Sequence, residues 1–267
     1  MSYEDLIVGL EDGVATIVLN RPEKRNALRV QTFEELIAAL HAAGADESIG
    51  VVSISGAGPS FCAGGDLEMA QTVLTSEHAG RHHFFARMIG LSRAVLELDK
   101  PVVCAVHGAC VGGGAELTTF ADLVVAGESA VFRFNGTEIG GGNWWGATQL
   151  LPLLVGMRRA EELLYLSKPV DAIAAERMGL VTRVVADSEL EATTHELCDR
   201  ILDLSADGMR LTKAGLRATK ELLLSSMSTA AEANVSAFSR PDMQAAFEAF
   251  LERKPMAWRT LRAKAVR

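Results

Sequence analysis

Residues His107 to Glu116 read H-G-A-C-V-G-G-G-A-E, and this stretch sets the fold expected of the whole chain. It lies between an apolar run, Pro101 to Val106, and a second apolar run that begins at Leu117. Three consecutive glycines, Gly112, Gly113 and Gly114, offer no side chain for packing and weaken helix and strand alike. Their use is therefore backbone that must bend or approach something closely. A glycine turn between a strand and a helix leaves N–H groups free at the helix N-terminus, where the dipole also favours negative charge. Such a corner can hold an oxyanion. Glu116, in the first helical turn after Gly114, places a carboxylate where it could move protons.

Moving outward, the same logic recurs twice. Val51 to Ser55 reads as a buried strand, and G-A-G-P-S-F-C-A-G-G-D-L, Gly56 to Leu67, follows it as a glycine-rich loop emptying into a helix with Asp66 at its start. Asp122 to Ala126 and Ala130 to Phe134 read as two further strands, followed by N-G-T-E-I-G-G-G-N-W-W-G, Asn135 to Gly146, with adjacent Trp144 and Trp145. Nearer the N-terminus, Leu6 to Leu10 and Val14 to Leu19 flank E-D-G as a hairpin, and Thr32 to Ala45 has helical spacing after the charged loop Asn20 to Leu28. A polar segment, Thr72 to Arg81, leads into a helix over His82 to Leu98 that stops before Lys100-Pro101. Beyond the third loop, helices are expected over Ala147 to Val155, Arg158 to Leu166 and Asp171 to Met178, with a strand over Val181 to Val185. After about Ser188 only helices are expected: Glu189 to Leu204, Met209 to Leu224, Ala230 to Phe238 and Pro241 to Leu251. The alternation of strands and amphipathic helices predicts an α/β chain whose helices cover a β-rich layer.

Composition narrows the function. With 267 residues, 49% of them hydrophobic, the chain has material for a substantial core. A net charge of −8 argues against nucleic acid or an anionic membrane as the main partner. Cys62, Cys104, Cys110 and Cys198 show neither a C-x-x-C pair nor metal spacing, so reduced, mostly buried thiols and a cytoplasmic location are expected. The start, M-S-Y-E-D, has no basic stretch followed by an apolar run, and no segment is long and apolar enough to span a bilayer, so neither an export signal nor a membrane helix is expected. No metal-ligand cluster or Ser-His-Asp pattern stands out.

Four ordered motifs carry a family resemblance: N-R-P-E-K-R-N-A-L at 20–28, F-C-A-G-G-D-L at 61–67, K-P-V-V-C-A-V-H-G-A-C-V-G-G-G-A-E-L at 100–117, and F-E-A-F-L-E-R-K-P from Phe247. Over essentially its whole length the chain resembles the enoyl-CoA hydratase/isomerase, or crotonase, superfamily. The resemblance implies a crotonase-like spiral of ββα repeats with a C-terminal helical trimerisation region. The division expected is a core with the acyl-CoA site over residues 1–190 and a helical region for oligomerisation and site closure over 191–267. It also implies homotrimers or dimers of trimers acting on acyl-CoA thioesters, with coenzyme A arriving as part of the substrate and no tightly bound cofactor.

Carried over residue by residue, the resemblance implies that the N–H groups of Gly65 and Gly113 hold the thioester oxygen as it becomes an enolate. Substrate contacts fall on Lys24 and Arg25, on Ala63, Gly64 and Asp66, and on Gly112, with Arg253 and Lys254 as further phosphate contacts. Asp66 would mainly cap its helix. Glu116 matches one of the two glutamates that a hydratase uses to hold and activate water. The second falls on Gly136, where Glu138, on the same face of an extended segment, can stand in. A glycine at 136 is also similar to the naphthoyl-CoA synthase and ring-hydrolase branches, although these usually lack the glutamate at 116. A single carboxylate beside an oxyanion site suits proton transfer between carbons as well as water addition.

The alternatives are thus a ring-opening hydrolase, decarboxylase or cyclising synthase acting on a cyclic or aromatic acyl-CoA, and a non-catalytic scaffold or RNA-binding homologue. Trp144 and Trp145 either line the acyl pocket or fill core. His82, which begins a helix sharing a face with Phe85 and Ile89, is either a second polar group in that pocket or a solvated side chain. His107 is expected to bond to backbone.

Overall fold

The computed structural model describes residues 2–143, 145–238, 240–252, 254 and 258. Strands β1 (Leu6–Glu11) and β2 (Val14–Leu19) form the expected antiparallel hairpin, registered from Leu6 opposite Leu19 to Glu11 opposite Val14. Its two-residue turn, Asp12-Gly13, has positive φ at both positions, which matches the twist of the flanking strands. Strands β3 (Val51–Gly56), β4 (Val102–Val106), β6 (Leu123–Gly127) and β9 (Arg183–Val185) extend this sheet in parallel, in the order β1-β2-β3-β4-β6-β9. Alternate residues serve opposite faces. Val102, Cys104 and Val106 join the main core, while Val103 and Ala105 join a smaller cluster on the other face. A parallel sheet covered on both sides reads as a nearly continuous apolar run, as V-V-C-A-V does.

A second, three-stranded layer accompanies the first. Its strands are β5 (Ala109–Val111), β7 (Val131–Arg133) and β8 (Val170–Asp171), and single bridges between Cys62 and Cys110 and between Leu28 and Gly65 continue it. Each spiral turn therefore sends one strand to the first layer, a short extended piece to the second, and then a helix. The helices after these turns are α1 (Val30–Ala45), α2 (Leu67–Thr75) with α3 (His78–Glu97), α4 (Gly113–Thr118), and α5 (Ala147–Val155) with α6 (Met157–Leu166). The chain thus has the α/β spiral of ββα repeats expected from the crotonase motifs. After α7 (Ala172–Met178), helix α8 (Leu190–Leu202) lies against β3, β4 and β6, burying Leu190 and Cys198 on Val51, Val103 and Val125. Helix α9 (Ala206–Ala237) packs on α3 and α5, and α10 (Pro241–Leu251) follows it.

Three local expectations change. Thr72–Arg81 is not a polar link: α2 runs to Thr75 and α3 starts at His78, because the hydroxyls of Thr72 and Thr75 bond back to the carbonyls of Glu68 and Gln71 and leave the helix intact. The two helices expected over Met209–Leu224 and Ala230–Phe238 are one, α9, whose Met227, in the middle of the Ser/Thr-rich run, is buried in the main core. The pieces around 122–126 and 130–134 form strands as expected, β6 and β7, one in each layer, and what changes is the opening stretch, whose A-C-V is itself a strand, β5.

Candidate active site

Equivalent points on two successive spiral turns carry the two glycine N–H groups. In the bridge between Leu28 and Gly65, Leu28 N donates to Gly64 O at 2.7 Å and Asp66 N donates to Leu28 O at 2.8 Å. Gly65 lies between them, and among the described residues its N–H donates to no protein acceptor. Gly113 is the first residue of α4, so its N–H has no intrahelical partner. Gly112 before it has φ +52° and ψ −120°, which a side chain would strain, and a Cβ on Gly114 would come within 2.5 Å of Cys62 O. The glycines therefore let the two turns approach closely. Asp66 caps α2, accepting from Glu68 N at 3.0 Å and Met69 N at 3.3 Å, and pairs with Arg21 at 3.0 Å.

Glu116, only 6% exposed, lies on α4 beside these donors. Burial drives its carboxyl well above the usual carboxylate range, and the backbone N–H of Trp145 only partly offsets this. Its Oε2 has no hydrogen-bond partner. Both glycines and Glu116 line a cavity of about 610 Å³, together with Lys24, Arg25, Ala63, Gly64, Asp66, Gly112, Gly136 and Trp145. Trp145 fills core and lines the cavity at once: its ring packs between Phe33 and Phe120, at 5.5 Å from each, and its Nε1 donates to Met88 O and Ser92 Oγ.

Three expected residues are not brought to this cavity. His82 is exposed and pairs with Glu232 at 2.9 Å, because Phe85 and Met88 take the cavity face of α3. Glu138 is exposed and pairs with Arg133. The segment carrying it turns rather than extends, with Glu138 N and Ile139 N donating to Asn135 O and Gly141 N to Gly136 O, so Ile139 reaches the wall instead. Lys254 is exposed and pairs with Glu252 at 2.8 Å. Trp144 and Arg253 lie outside the described residues. His107 bonds to backbone, Nε2 to Gly58 O at 2.8 Å.

The sequence reading missed several groups. Asn143, 3% exposed, lines the cavity, and its Oδ1 accepts from Gly136 N at 2.9 Å. A Cβ on Gly136 would lie 2.8 Å from that oxygen. Phe238, Phe247 and Phe250 close the cavity from the end of α9 and from α10, Phe247 clustering with Leu74 and Met243. F-E-A-F was the available signal for two of these, whereas a lone Asn in a glycine-rich loop gave none. Arg21 and Asn26, from the first motif, anchor the loops: Asn26 is 2% exposed, donates to Ala57 O and Ser60 O at 2.8 Å each, and accepts from Arg21 N at 2.9 Å. All four cysteines are free and buried. Among the described residues, no group of three or more His, Cys, Asp or Glu is placed to hold a metal ion, and no helix is long and apolar enough to cross a membrane.

Comparison with known proteins gives the family. The sequence profile of the enoyl-CoA hydratase/isomerase family matches residues 9–261. A crotonyl-CoA hydratase of Syntrophomonas wolfei subsp. wolfei is 34% identical over 258 residues, covering 95% of this chain and 97% of that protein. The crystal structure of an enoyl-CoA hydratase/isomerase from Xanthobacter autotrophicus Py2 superimposes with a TM-score of 0.86 at 30% identity, covering 93% of each chain. A monofunctional enoyl CoA isomerase from M. smegmatis gives a TM-score of 0.68 at 32% identity, over 79% of this chain and 91% of that one. These relatives do not favour the ring-opening, decarboxylating, cyclising or scaffold alternatives. With its four motifs, its ββα spiral and these matches, the chain belongs to the enoyl-CoA hydratase/isomerase, or crotonase, superfamily of acyl-CoA enzymes.

Proposed function

We propose that this enzyme performs acid–base chemistry at the second and third acyl carbons of an enoyl-CoA, with the thioester oxygen held by the N–H groups of Gly65 and Gly113 and with Glu116 as the proton carrier. The observation that carries this reading is the buried, unpaired carboxyl of Glu116 in the same cavity as two unengaged glycine N–H donors. Of the other carboxylates in the wall, Asp66 is committed to a helix cap and to Arg21, and Glu68 is solvated beside Lys24. Fixed donors aimed at developing charge contribute roughly 3–4 kcal/mol each in well-studied cases. A buried carboxylate is a stronger base than a solvated one, which suits removal of a proton from carbon or water.

Coenzyme A would lie along Lys24, Arg25 and the Ala63–Asp66 segment, with the acyl chain enclosed by Phe84, Phe85, Met88 and Trp145. We further propose a homotrimer or a dimer of trimers, a reading supported by the exposed Met157, Tyr165, Leu166, Leu211 and Leu216. Four buried free thiols support a cytoplasmic setting. No tightly bound cofactor enters the chemistry proposed. The test is turnover of but-2-enoyl-CoA and but-3-enoyl-CoA, followed by absorbance and mass. Glu116→Ala should lose about 10²–10⁴ in kcat, and full turnover by that variant would overturn the assignment.

A further inference from the structure

Two buried side-chain atoms among the described residues lack a hydrogen-bond partner, Glu116 Oε2 and Asn143 Nδ2, and both residues line the same cavity. The Asn143 amide is oriented by its other end, since Oδ1 accepts from Gly136 N at 2.9 Å and only Nδ2 is left over. Leaving a buried amide donor unpaired costs about 1–3 kcal/mol, so its retention in a cavity wall calls for a bound group that uses it. An acyl chain of carbon and hydrogen offers no acceptor. An oxygen does.

The place of this amide bears on the reaction. Gly136 has no room for a side chain, because a Cβ would stand 2.8 Å from both Asn143 Oδ1 and the Gly142 carbonyl carbon. The direction a side chain would take from Gly136, where the family resemblance expects a second glutamate, is thus occupied by the carbonyl end of the Asn143 amide, whose other end, Nδ2, donates and does not titrate.

We propose that Asn143 Nδ2 holds the oxygen that joins or leaves the third acyl carbon, so that the substrate class is a 2-enoyl-CoA with water, or in reverse a 3-hydroxyacyl-CoA. This rests on the reading of Glu116 as acid and base. In the forward step the Glu116 carboxylate takes a proton from water, the water oxygen bonds to C3, and the C2=C3 electron pair moves to the thioester enolate at Gly65 and Gly113. Glu116 then returns the same proton to C2 as the thioester carbonyl re-forms. Atoms and charge balance with no further reactant. Asn143 orients the attacking oxygen, and in reverse it stabilises the departing hydroxyl.

Two activities separate this proposal from the reading beneath it: hydration of but-2-enoyl-CoA, and exchange of the C2 proton of saturated butyryl-CoA in D₂O, which involves no oxygen at C3. Asn143→Ala should lower kcat for hydration at least tenfold and leave exchange within twofold. Unchanged hydration, or equal loss of both activities, would overturn the role of Asn143. Glu116→Gln should lose both, and exchange persisting in that variant would instead sink the acid–base reading. The wild-type protein supplies a check that needs no variant. Calorimetry should find 3-hydroxybutyryl-CoA bound at least tenfold more tightly than butyryl-CoA, and equal or weaker binding refutes the proposal.

Discussion

Glu116 holds two opposing properties in one side chain. Its burial makes it a strong base, and the same burial makes its charge costly to the fold. Because its folded pKa lies above the unfolded value, its favourable contribution is complete below the ordinary carboxylate range and is lost as pH rises through the folded pKa. Glu116→Gln should therefore have a higher Tm than the wild type at alkaline pH, with the difference shrinking as pH falls toward the ordinary carboxylate range. In the wild type, kcat/KM should rise with pH along a limb centred above the usual carboxylate range, and a limb at an ordinary glutamate pKa would contradict the burial of this group. Gly136 makes the complementary case. Restoring a second carboxylate by Gly136→Glu should not improve turnover; it should destabilise the protein by about 1–3 kcal/mol, because the added atoms meet Asn143 and Gly142. Stability measured by denaturant, alongside hydration assays, tests both halves.

At the scale of elements, the site depends on loops held by pegs rather than on any one helix. Asn26 ties the first loop to the second through Ala57 O and Ser60 O, and Ala63 N donates to Arg25 O, so the segment carrying Gly65 is positioned from two sides. Asn26→Ala should cost about 1–3 kcal/mol for the carbonyls left unpaired, and should lower kcat without any contact to the acyl group. A normal kcat in that variant would show that Gly65 keeps its place without the peg. Much of this level was legible: the hairpin, β4, α5 and α10 follow from period, turn residues and prolines. What was not legible was three-residue β5, too short for any period, and the continuity of α9 through S-S-M-S-T, which the burial of Met227 overrides. Glu138 was misplaced for a similar reason, since its neighbours turn on themselves through backbone bonds that residue types do not announce.

Over the whole molecule, α9 is fastened beside the sheet by charged contacts, among them Lys213 and Lys220 on Asp122. Lys213 on α9 is 8% exposed, and its Nζ reaches Asp122 Oδ2 and Lys100 O, both at 2.6 Å, while that same Asp122 oxygen accepts from Val102 N at 2.8 Å. The contact joins α9 to the start of β4, whose far end leads into the glycine turn. Lys213→Ala should lower stability by about 1–3 kcal/mol through the acceptors left unmet and leave kcat near the wild-type value. A large fall in kcat at unchanged stability would mean that α9 governs the site more directly. The sequence by itself pointed to the ββα spiral and the acyl-CoA superfamily, through a resemblance carried by four ordered motifs, and offered Gly65, Gly113 and Glu116 as candidates, because glycine runs and ordered motifs are local properties of the chain. Only the tertiary structure decided that Gly136 is closed, that His82 and Glu138 stand outside the cavity, and that Asn143 Nδ2, like Glu116 Oε2, is a buried atom in its wall without a partner. Burial and the loss of a hydrogen-bond partner arise between segments that meet only when the spiral closes.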